Sequence, residues 1–255
     1  MMNGLNPGNT LGKHAKNLLI NGVEESVVEG ALKGISDFFE LTNQEERSEY
    51  LKKNPMDRIR GAIGEYFKWM HEVELGLAKA ILKILGYEET YIKKEFKLEV
   101  GFDVSAMNLY PPSFQSKGSI GVPEHTDPGF FVSLIQDANG GLQMLTHKGN
   151  WVTVNIPQNA IFINLGDHLQ ILSNGKYKSH IHQVILDNNK VNRISMATLH
   201  GSSLDIFVAP ASRFIDESHP PAYRGMTYKE SLELNGSDEI DVQSSFSLLR
   251  IPFSL

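Results

Sequence analysis

The 255-residue sequence contains no cysteine, which excludes both a disulfide framework and a metal site built on thiolates. It also has no apolar run approaching the roughly 18 residues that a membrane-spanning helix needs. The first residues lack the basic segment and the long apolar segment of a secretory signal. These absences predict a cytoplasmic protein that does not enter the membrane.

Positive charge is also scarce, since 24 Lys and Arg stand against 30 Asp and Glu and no basic cluster is found. Nucleic acids and anionic membrane surfaces select for concentrated Lys and Arg, so neither is expected as a partner. We expect a small-molecule partner and a monomer. The length and the 41% hydrophobic content suffice for one substantial core, so residues 1–255 are predicted to form a single domain.

The first 95 or so residues have a helical pattern. Apolar residues repeat at helical spacing from Glu24 to Phe39, and Thr42–Glu45 matches a capping box. A second helix is predicted from Tyr66 to Leu85. Its predicted apolar stripe consists of Phe67, Met70, Val73, Leu77, Ile81 and Ile84. Packing in the protein core is sufficient to explain the apolar faces of both helices, so no functional role is inferred from them.

From about residue 96 the apolar period changes to two, which is typical of antiparallel strands. The predicted strands are Phe130–Gln136, Leu142–Leu145, Trp151–Ile156, Ile161–Leu165, Ser179–Leu186 and Asn192–Thr198. Turn residues able to adopt a positive φ separate them, at Asn139–Gly141, Lys148–Asn150, Ser173–Gly175 and Asp187–Asn189. Strands this short and numerous favour a sandwich, a barrel or a jelly roll.

Candidate metal ligands occur in the sequence VPEHTDPGFF. On a strand, residues i and i+2 share a face, so His125 and Asp127 can direct a nitrogen and a carboxylate oxygen to one point. One further imidazole would complete a two-His-one-carboxylate triad for a divalent metal. The candidates for it are His168, His180, His182 and His200. Alternation does not separate His180 from His182.

Arg193 and Ser195 are candidates for holding an anion. A two-residue turn at Asn188–Asn189 would form a hairpin that pairs His182 with Ser195, placing all three side chains on one face. A buried guanidinium requires an anion, and Arg and Ser together suit a carboxylate. The alternative is an ion pair between Arg193 and an acidic residue of the same chain.

The order and spacing of these motifs resemble the plant-type 2-oxoglutarate- and Fe(II)-dependent dioxygenases of specialised metabolism. His182 follows His125 by 57 positions, ten residues separate it from Arg193, and NLYPP at 108–112 lies upstream. Further similar stretches are FFELTNQEE, GLQML, NLGDHLQILSNGKYKS and HPPAYRGMTYKESLEL. The resemblance covers most of residues 20–250, although the N-terminal part is shorter than is usual in the family.

The resemblance implies a mainly β fold with flanking α-helices, a double-stranded β-helix (jelly roll) preceded by N-terminal helices. It implies that His125, Asp127 and His182 hold Fe(II). Arg193 and Ser195 would hold the distal carboxylate of 2-oxoglutarate, with help from Tyr110 and Asn108. The reaction would consume O2 and 2-oxoglutarate, release succinate and CO2, and oxidise a substrate by hydroxylation, O-demethylation, desaturation or ring closure.

Four residues are candidates for contacting the substrate: Phe131, Leu199, His200 and Tyr223. Alternation puts Leu199 on the face of Arg193 and Ser195, and the segment 220–226 is expected to fold over the barrel mouth. A mostly apolar pocket favours a small hydrophobic plant metabolite. Core packing is the alternative for Phe131 and Leu199.

Two other functions fit part of the pattern. A non-catalytic paralogue would keep the barrel as a binding module, and the short N-terminal region favours it. A zinc hydrolase on a similar barrel could use the same three ligands. The Arg193-Ile194-Ser195 and NLYPP motifs favour the dioxygenase over both.

Overall fold

Within the described residues, the N-terminal part of the chain is helical, as predicted, except for a short strand at Leu18–Ile20. The computed structural model describes residues 18–20, 24–40, 56–112, 118–186, 191–235 and 249–251. Helix α1 spans Glu25–Phe39 and α2 spans Met56–Ile84, so α2 begins ten residues before the predicted start. The predicted capping box at Thr42–Glu45 lies outside the described residues. Within the described parts of the chain, no helix combines the length and apolarity needed to cross a bilayer.

The buried face of α2 is rotated relative to the predicted stripe. Its buried residues, spaced by three or four, are Ile63, Tyr66, Met70, Glu74, Ala78 and Leu82. Phe67, Val73, Leu77 and Ile81 are only partly buried, and Ile84 is 73% exposed. The prediction missed this because it passed over a small residue, Ala78, and a carboxylic acid, Glu74, both of which lie on the core side.

Two antiparallel sheets form the body of the β region. The strands of the larger sheet are β1 Leu18–Ile20, β2 Asp103–Tyr110, β4 Phe131–Gln136, β7 Ile161–Leu165 and β9 Arg193–His200. Those of the smaller sheet are β3 Ser119–His125, β5 Leu142–Leu145, β6 Trp151–Thr153 and β8 His182–Leu186. The larger sheet has the order β1-β7-β4-β9-β2 and the smaller the order β3-β8-β5-β6. This arrangement confirms the predicted jelly roll.

Smaller elements follow the two sheets along the chain. Helix α3 spans Asp167–Leu172, between β7 and β8, and all six of its residues are buried. A two-stranded sheet pairs β10, Phe207–Val208, with β11, Met226–Thr227, and α4 follows at Tyr228–Asn235. Short helical turns occupy Glu89–Tyr91, Ile92–Phe96, Leu98–Val100 and Ser212–Phe214.

The core has two layers, one on each side of the larger sheet. Leu134 and Phe162 of the larger sheet pack against Leu142 and Met144 of the smaller one, which fills the barrel interior. On the other side, α1 and α2 cover the sheet, and Met196 lies in this second layer with the helix residues. Each strand of the larger sheet therefore has an inner face toward the barrel and an outer face toward the helices.

The predicted hairpin between His182 and Ser195 is wrong. Strand β8 pairs with β3 and β5, whereas β9 pairs with β2 and β4, so the two strands belong to different sheets. In a jelly roll, consecutive strands cross between the sheets, and the period of two is the same for either pairing. The whole predicted turn, Asp187–Asn189, lies outside the described residues. Three other predicted turns do contain positive φ angles, at Gly140, Gly141, Gly149, Asn174 and Gly175.

Candidate metal centre

Three side chains converge where β3 ends and β8 begins. His125 and His182 are register partners across these two strands. The Nε2 atom of His125 lies 3.5 Å from Oδ1 of Asp127, and Nε2 of His182 lies 3.3 Å from Oδ2. Asp127 is 6% exposed, and the three side chains form a group able to hold one metal ion.

The backbone fixes the orientation of both imidazoles. Nδ1 of His125 lies 2.8 Å from the carbonyl oxygen of Pro123, and Nδ1 of His182 lies 3.0 Å from that of His180. A carbonyl oxygen only accepts, so each Nδ1 carries the proton and donates it. In the neutral form of each ring, Nε2 then keeps a lone pair directed toward Asp127. This tautomer is the one that a metal-binding histidine needs.

Asp127 is held in place by two hydrogen bonds, one from the larger sheet and one from the start of α3. Asn164 of β7 donates Nδ2–H to Oδ2 at 2.9 Å, and the backbone N–H of Asp167 donates to the carbonyl oxygen of Asp127 at 2.8 Å. Burial acts to raise the pKa of Asp127, but the imidazoles of His182 and His125 and the amide of Asn164 outweigh it and lower the pKa. The carboxyl is therefore ionised, as a metal ligand must be.

The charge state of His182 fits the same role. Burial lowers the pKa of His182, and the nearby Asp127 carboxylate only partly opposes this effect. A neutral imidazole and an ionised carboxylate are the forms that bind a divalent first-row metal. The donor set therefore fits Fe(II) with two nitrogens and one carboxylate.

The shared strand face does not bring Asp127 to the histidines, contrary to the prediction. His125 is the last residue of β3, and Asp127 lies beyond it in the turn that leads to β4. Gly129 has a φ of +84° in this turn, and a Cβ there would lie 2.6 Å from the carbonyl oxygen of His200. The turn is thus fixed against β9, and its geometry directs Asp127 toward the imidazoles.

The other candidate histidines lie elsewhere. His168 is fully buried between the rings of Phe130 and Tyr228, and burial lowers its pKa to about 4. The ring of His180 lies 5.6 Å from that of His147. Neither belongs to a group of potential metal ligands among the described residues.

Arg193 lies at the start of β9, on the inner face of the larger sheet, and is 2% exposed. Its Nη1 donates to Oγ of Ser195 at 3.0 Å, its Nη2 to Oε1 of Gln136 at 3.0 Å and its Nε to the carbonyl oxygen of Gly140 at 2.5 Å. The guanidinium also lies over the ring of Tyr110, 4.9 Å from the centroid. All these contacts are with neutral groups.

No carboxylate among the described residues lies within 4.0 Å of the Arg193 guanidinium. The nearest acidic residue along the strand pairing is Asp137, which accepts hydrogen bonds from the backbone N–H groups of Ile194 and Asn139 instead. The alternative of an intrachain ion pair is therefore not realised in the described part of the chain. Burial lowers the pKa of Arg193, and the charge of Asp137 only partly opposes this effect. A buried cation with no directly bonded counter-charge is costly, so the arrangement suits an anionic ligand.

Strand register decides which of the remaining candidates face the barrel. Asn108 is the partner of Ser195 and Tyr110 that of Arg193, so both share the inner face. Leu199 is the partner of Val104 and Val132 and also faces inward. It is half-buried.

Two of the expected substrate contacts are corrected. Phe131 and His200 are partners of each other across β4 and β9, on the outer face. Phe131 is 2% exposed in the core shared with the helices, and His200 is fully buried and bonded to Asp103. The prediction failed because the inner face of β4 begins one residue later, at Val132.

Tyr223 does not stand free at the barrel mouth. It is 7% exposed, and its hydroxyl accepts a hydrogen bond from Nε2 of Gln170 in α3 at 2.7 Å. Its backbone forms an isolated bridge with Arg250. These contacts make it part of the packing between α3 and the C-terminal segment.

Sequence reasoning missed Asn164 and Gln136. Asn164 is a polar residue on an otherwise apolar buried strand, and Gln136 ends β4 on the inner face opposite Ser195. A buried amide in such a strand is itself a signal, because it must find a hydrogen-bond partner. The partners found are Asp127 and Arg193.

Comparisons with known proteins agree with this geometry. Residues 101–202 match the model of the 2OG-Fe(II) oxygenase superfamily. The chain is 32% identical over 252 residues to 2-oxoglutarate-dependent dioxygenase 21, chloroplastic, of Oryza sativa subsp. japonica, with 84% of this chain and 74% of that protein covered. It is 28% identical over 254 residues to Flavanone 3-dioxygenase 3 of the same organism, covering 85% and 77%.

The fold is also similar to that of a solved structure. The crystal structure of JOX2 in complex with 2OG, Fe and JA superposes with a TM-score of 0.81 at 22% identity, covering 94% of this chain and 83% of that one. The sequence similarity to the rice dioxygenase 21 extends over most of both proteins. The chain therefore belongs to the 2-oxoglutarate- and Fe(II)-dependent dioxygenases, oxidoreductases that use Fe(II) as cofactor and 2-oxoglutarate as co-substrate.

Proposed function

We propose that His125, Asp127 and His182 hold the Fe(II) of this dioxygenase. The observation that carries the proposal is the approach of two Nε2 lone pairs to the two oxygens of one ionised carboxylate, at 3.3 and 3.5 Å. Both imidazoles are locked in the required tautomer by backbone carbonyls. Three protein ligands leave open positions for small ligands.

Arg193 and Ser195 bind the distal carboxylate of 2-oxoglutarate in this proposal. The guanidinium is buried, unpaired among the described acidic residues, and oriented by Gln136, Gly140 and Ser195. A planar guanidinium whose orientation is already fixed loses little conformational freedom when it binds a carboxylate. Tyr110 packs on the guanidinium, and Asn108 lies beside Ser195 on the neighbouring strand.

The proposed reaction is the oxidation of a small hydrophobic plant-type metabolite by hydroxylation, O-demethylation, desaturation or ring closure. When bound, iron and 2-oxoglutarate supply the chemistry, in which O2 is consumed and 2-oxoglutarate becomes succinate and CO2. The protein holds these groups in place and keeps the site apolar. The inner-face residues that support an apolar substrate are Val104, Ala106, Val132, Ala197 and Leu199. The name of the rice relative Flavanone 3-dioxygenase 3 points to the same substrate class.

The test compares His182→Ala with its neighbour variant His180→Ala. His182→Ala should lose most of its iron and its 2-oxoglutarate turnover, because one of three ligands is gone. His180→Ala should keep both, since its ring contacts the Lys178 carbonyl and His147 instead. Bound iron and succinate formation are the two measurements.

The same experiment separates the alternatives. If the unmodified protein binds iron but forms no succinate from 2-oxoglutarate under any condition, it is a non-catalytic paralogue and the proposal fails. If His180→Ala rather than His182→Ala loses the iron, the ligand assignment is wrong. A cytoplasmic location and a monomeric state stay predictions.

A further inference from the structure

A second cluster of potential metal ligands lies on the opposite side of the larger sheet, between that sheet and α2. It consists of His71 and Glu74 from α2, Asp103 from β2 and His200 from β9, and is called here the His71 cluster. Nδ1 of His200 lies 2.6 Å from Oδ1 of Asp103, and Nδ1 of His71 lies 3.0 Å from Oδ2. One carboxylate thus lies between two imidazoles, as Asp127 does in the iron site.

Glu74 makes this cluster unusual. It lies on the buried face of α2, one turn from Met70 and one turn from Ala78, and it is 0% exposed. Neither carboxyl oxygen forms a hydrogen bond of normal geometry within the described part of the chain, although the Ser133 hydroxyl is close enough to favour the charged form. Burial raises the pKa of Glu74 well above its ordinary value. A buried acid with so little compensation destabilises the fold unless something else binds it.

His200 has unused binding capacity as well. Its Nε2 is buried and has no hydrogen-bond partner among the described residues. Its Nδ1 lies 3.8 Å from Oε2 of Glu74, in addition to the contact with Asp103. Hydrogen bonds within the cluster therefore satisfy Asp103 and Nδ1 of His71. They do not satisfy the carboxyl oxygens of Glu74.

A divalent cation would bind His71, Asp103 and His200, with the Glu74 carboxyl beside His200. The ligand atoms of His71, Asp103 and His200 lie within 4.8 Å of one another, the same limit that the iron-site residues meet. Two imidazole nitrogens and the Asp103 carboxylate are ligands that Zn²⁺ accepts, and the Glu74 carboxylate, whose Oε2 lies 3.8 Å from Nδ1 of His200, is a candidate for the fourth tetrahedral position. We propose that the His71 cluster is a structural site for a zinc-class divalent cation.

The position of the cluster suggests what the ion does. It would connect α2 to β2 and β9, whose inner faces carry Asn108, Tyr110, Arg193 and Ser195. The side chains of His71 and Asp103 are 33% and 25% exposed, so an ion can enter from their side. Glu74 and His200, on the other side, are fully buried. The role is therefore structural and does not depend on the proposed iron ligands.

The experiment first removes bound ions from the full chain with a chelator. It then measures how many Zn²⁺ ions each chain binds when zinc is added. The double variant His125→Ala/His182→Ala removes the first site, so zinc bound to it reports on the His71 cluster. We expect one Zn²⁺ per chain in this variant and a zinc-dependent rise in melting temperature. Adding Glu74→Gln should weaken zinc binding by more than about 100-fold, because even outer-shell partners contribute 10- to 100-fold. Co²⁺ should give the intense visible absorption of a tetrahedral site.

The matched control is Glu72→Gln, an exposed residue on the same helix, which should leave zinc binding unchanged. Asp103→Asn, at the solvent side of the cluster, provides a second variant if Glu74→Gln does not fold. The proposal is overturned if the double variant binds no zinc at micromolar concentration. It is also overturned if bound zinc persists when both Glu74→Gln and Asp103→Asn are introduced.

Discussion

At the scale of single residues, the candidate site depends on side chains whose orientation is fixed before any ligand binds. Arg193 is the clearest case, because three acceptors and one aromatic ring hold its guanidinium in a buried position. The hydroxyl and amide around it are neutral, so they orient the cation without neutralising it. The remaining charge is available to a carboxylate.

Replacing Arg193 with Lys keeps the charge but loses the planar fork. The apparent KM for 2-oxoglutarate should rise by roughly 10- to 100-fold, which corresponds to about 1.4 to 2.8 kcal/mol, while iron stays bound. Steady-state kinetics and metal analysis measure the two effects. Arg213→Lys is the control, since Arg213 lies over Tyr87 and bonds to the Leu85 carbonyl, and it should leave the KM unchanged. An unchanged KM in Arg193→Lys would contradict the assigned role.

Asn164 positions Asp127 without being a ligand itself. Asn164→Leu keeps a buried side chain of similar size but removes the donor to Oδ2 of Asp127. We expect iron affinity to fall by roughly 10- to 100-fold, the usual effect of losing an outer-shell partner. Competition with a chelator measures it. Gln183→Leu breaks a hydrogen bond to Gln143 on the face of β8 opposite to His182 and should not change iron affinity. Equal losses in both variants would indicate a general effect on stability.

The sequence identified some of these residues and not others for physical reasons. The proposed metal ligands and Arg193 stand out because His, Asp and Arg are rarely buried without a role, and their spacing can be compared with a family. Asn164 and Gln136 act through other residues, so their role depends on contacts that the sequence does not reveal. Phe131 and His200, named as substrate candidates, lie on the outer face, because neighbouring residues of a strand point to opposite sides of the sheet.

At the scale of elements, strand existence was predictable and strand pairing was not. Leu142–Leu145 and Ile161–Leu165 have the predicted bounds, because alternation and flanking turn residues both mark them. The same pattern could not show that β8 and β9 lie in different sheets. Pairing depends on the path of the chain between the sheets, and alternation along one strand contains no information about it.

The turn between β3 and β4 is an element on which the metal site depends. Gly129→Ala would force an L side chain to a φ of +84° and place its Cβ 2.6 Å from the His200 carbonyl oxygen. Gly149→Ala is the matched control, with a φ of +77° but no atom within 4 Å of the added Cβ. In both variants the free energy of unfolding should fall by roughly 1 to 2 kcal/mol, which is the cost of the left-handed conformation for a residue with a side chain.

Only Gly129→Ala should be destabilised by more than this conformational cost. It should also bind iron more weakly, because the turn contains Asp127. Chemical unfolding of the metal-free proteins and iron titration provide the two measurements. Equal destabilisation of both variants, with iron affinity retained, would mean that the contact with His200 is relieved by a small shift of the turn.

At the scale of the whole molecule, the larger sheet separates two buried environments. Its inner face carries Arg193, Ser195 and Leu199, and its outer face packs on α1 and α2. The charged and polar residues of the inner face lie toward one end of β9, whereas Leu199 lies toward the other, near the turn that holds Asp127. Substrate and co-substrate are therefore expected to approach the iron from different directions along the barrel.

Leu199→Phe tests this arrangement. A larger ring on the inner face should reduce product formation from the true substrate, because the apolar pocket becomes smaller. It should leave the slow decarboxylation of 2-oxoglutarate without substrate largely unchanged, because Arg193 and the metal ligands are untouched. Succinate formation with and without substrate measures both rates. Ile120→Phe is the control for adding an aromatic ring. Ile120 lies on β3 and is 63% exposed, so this variant should leave both rates unchanged. Equal loss of both rates in Leu199→Phe would mean that Leu199 supports the core and that the substrate contacts another part of the inner face.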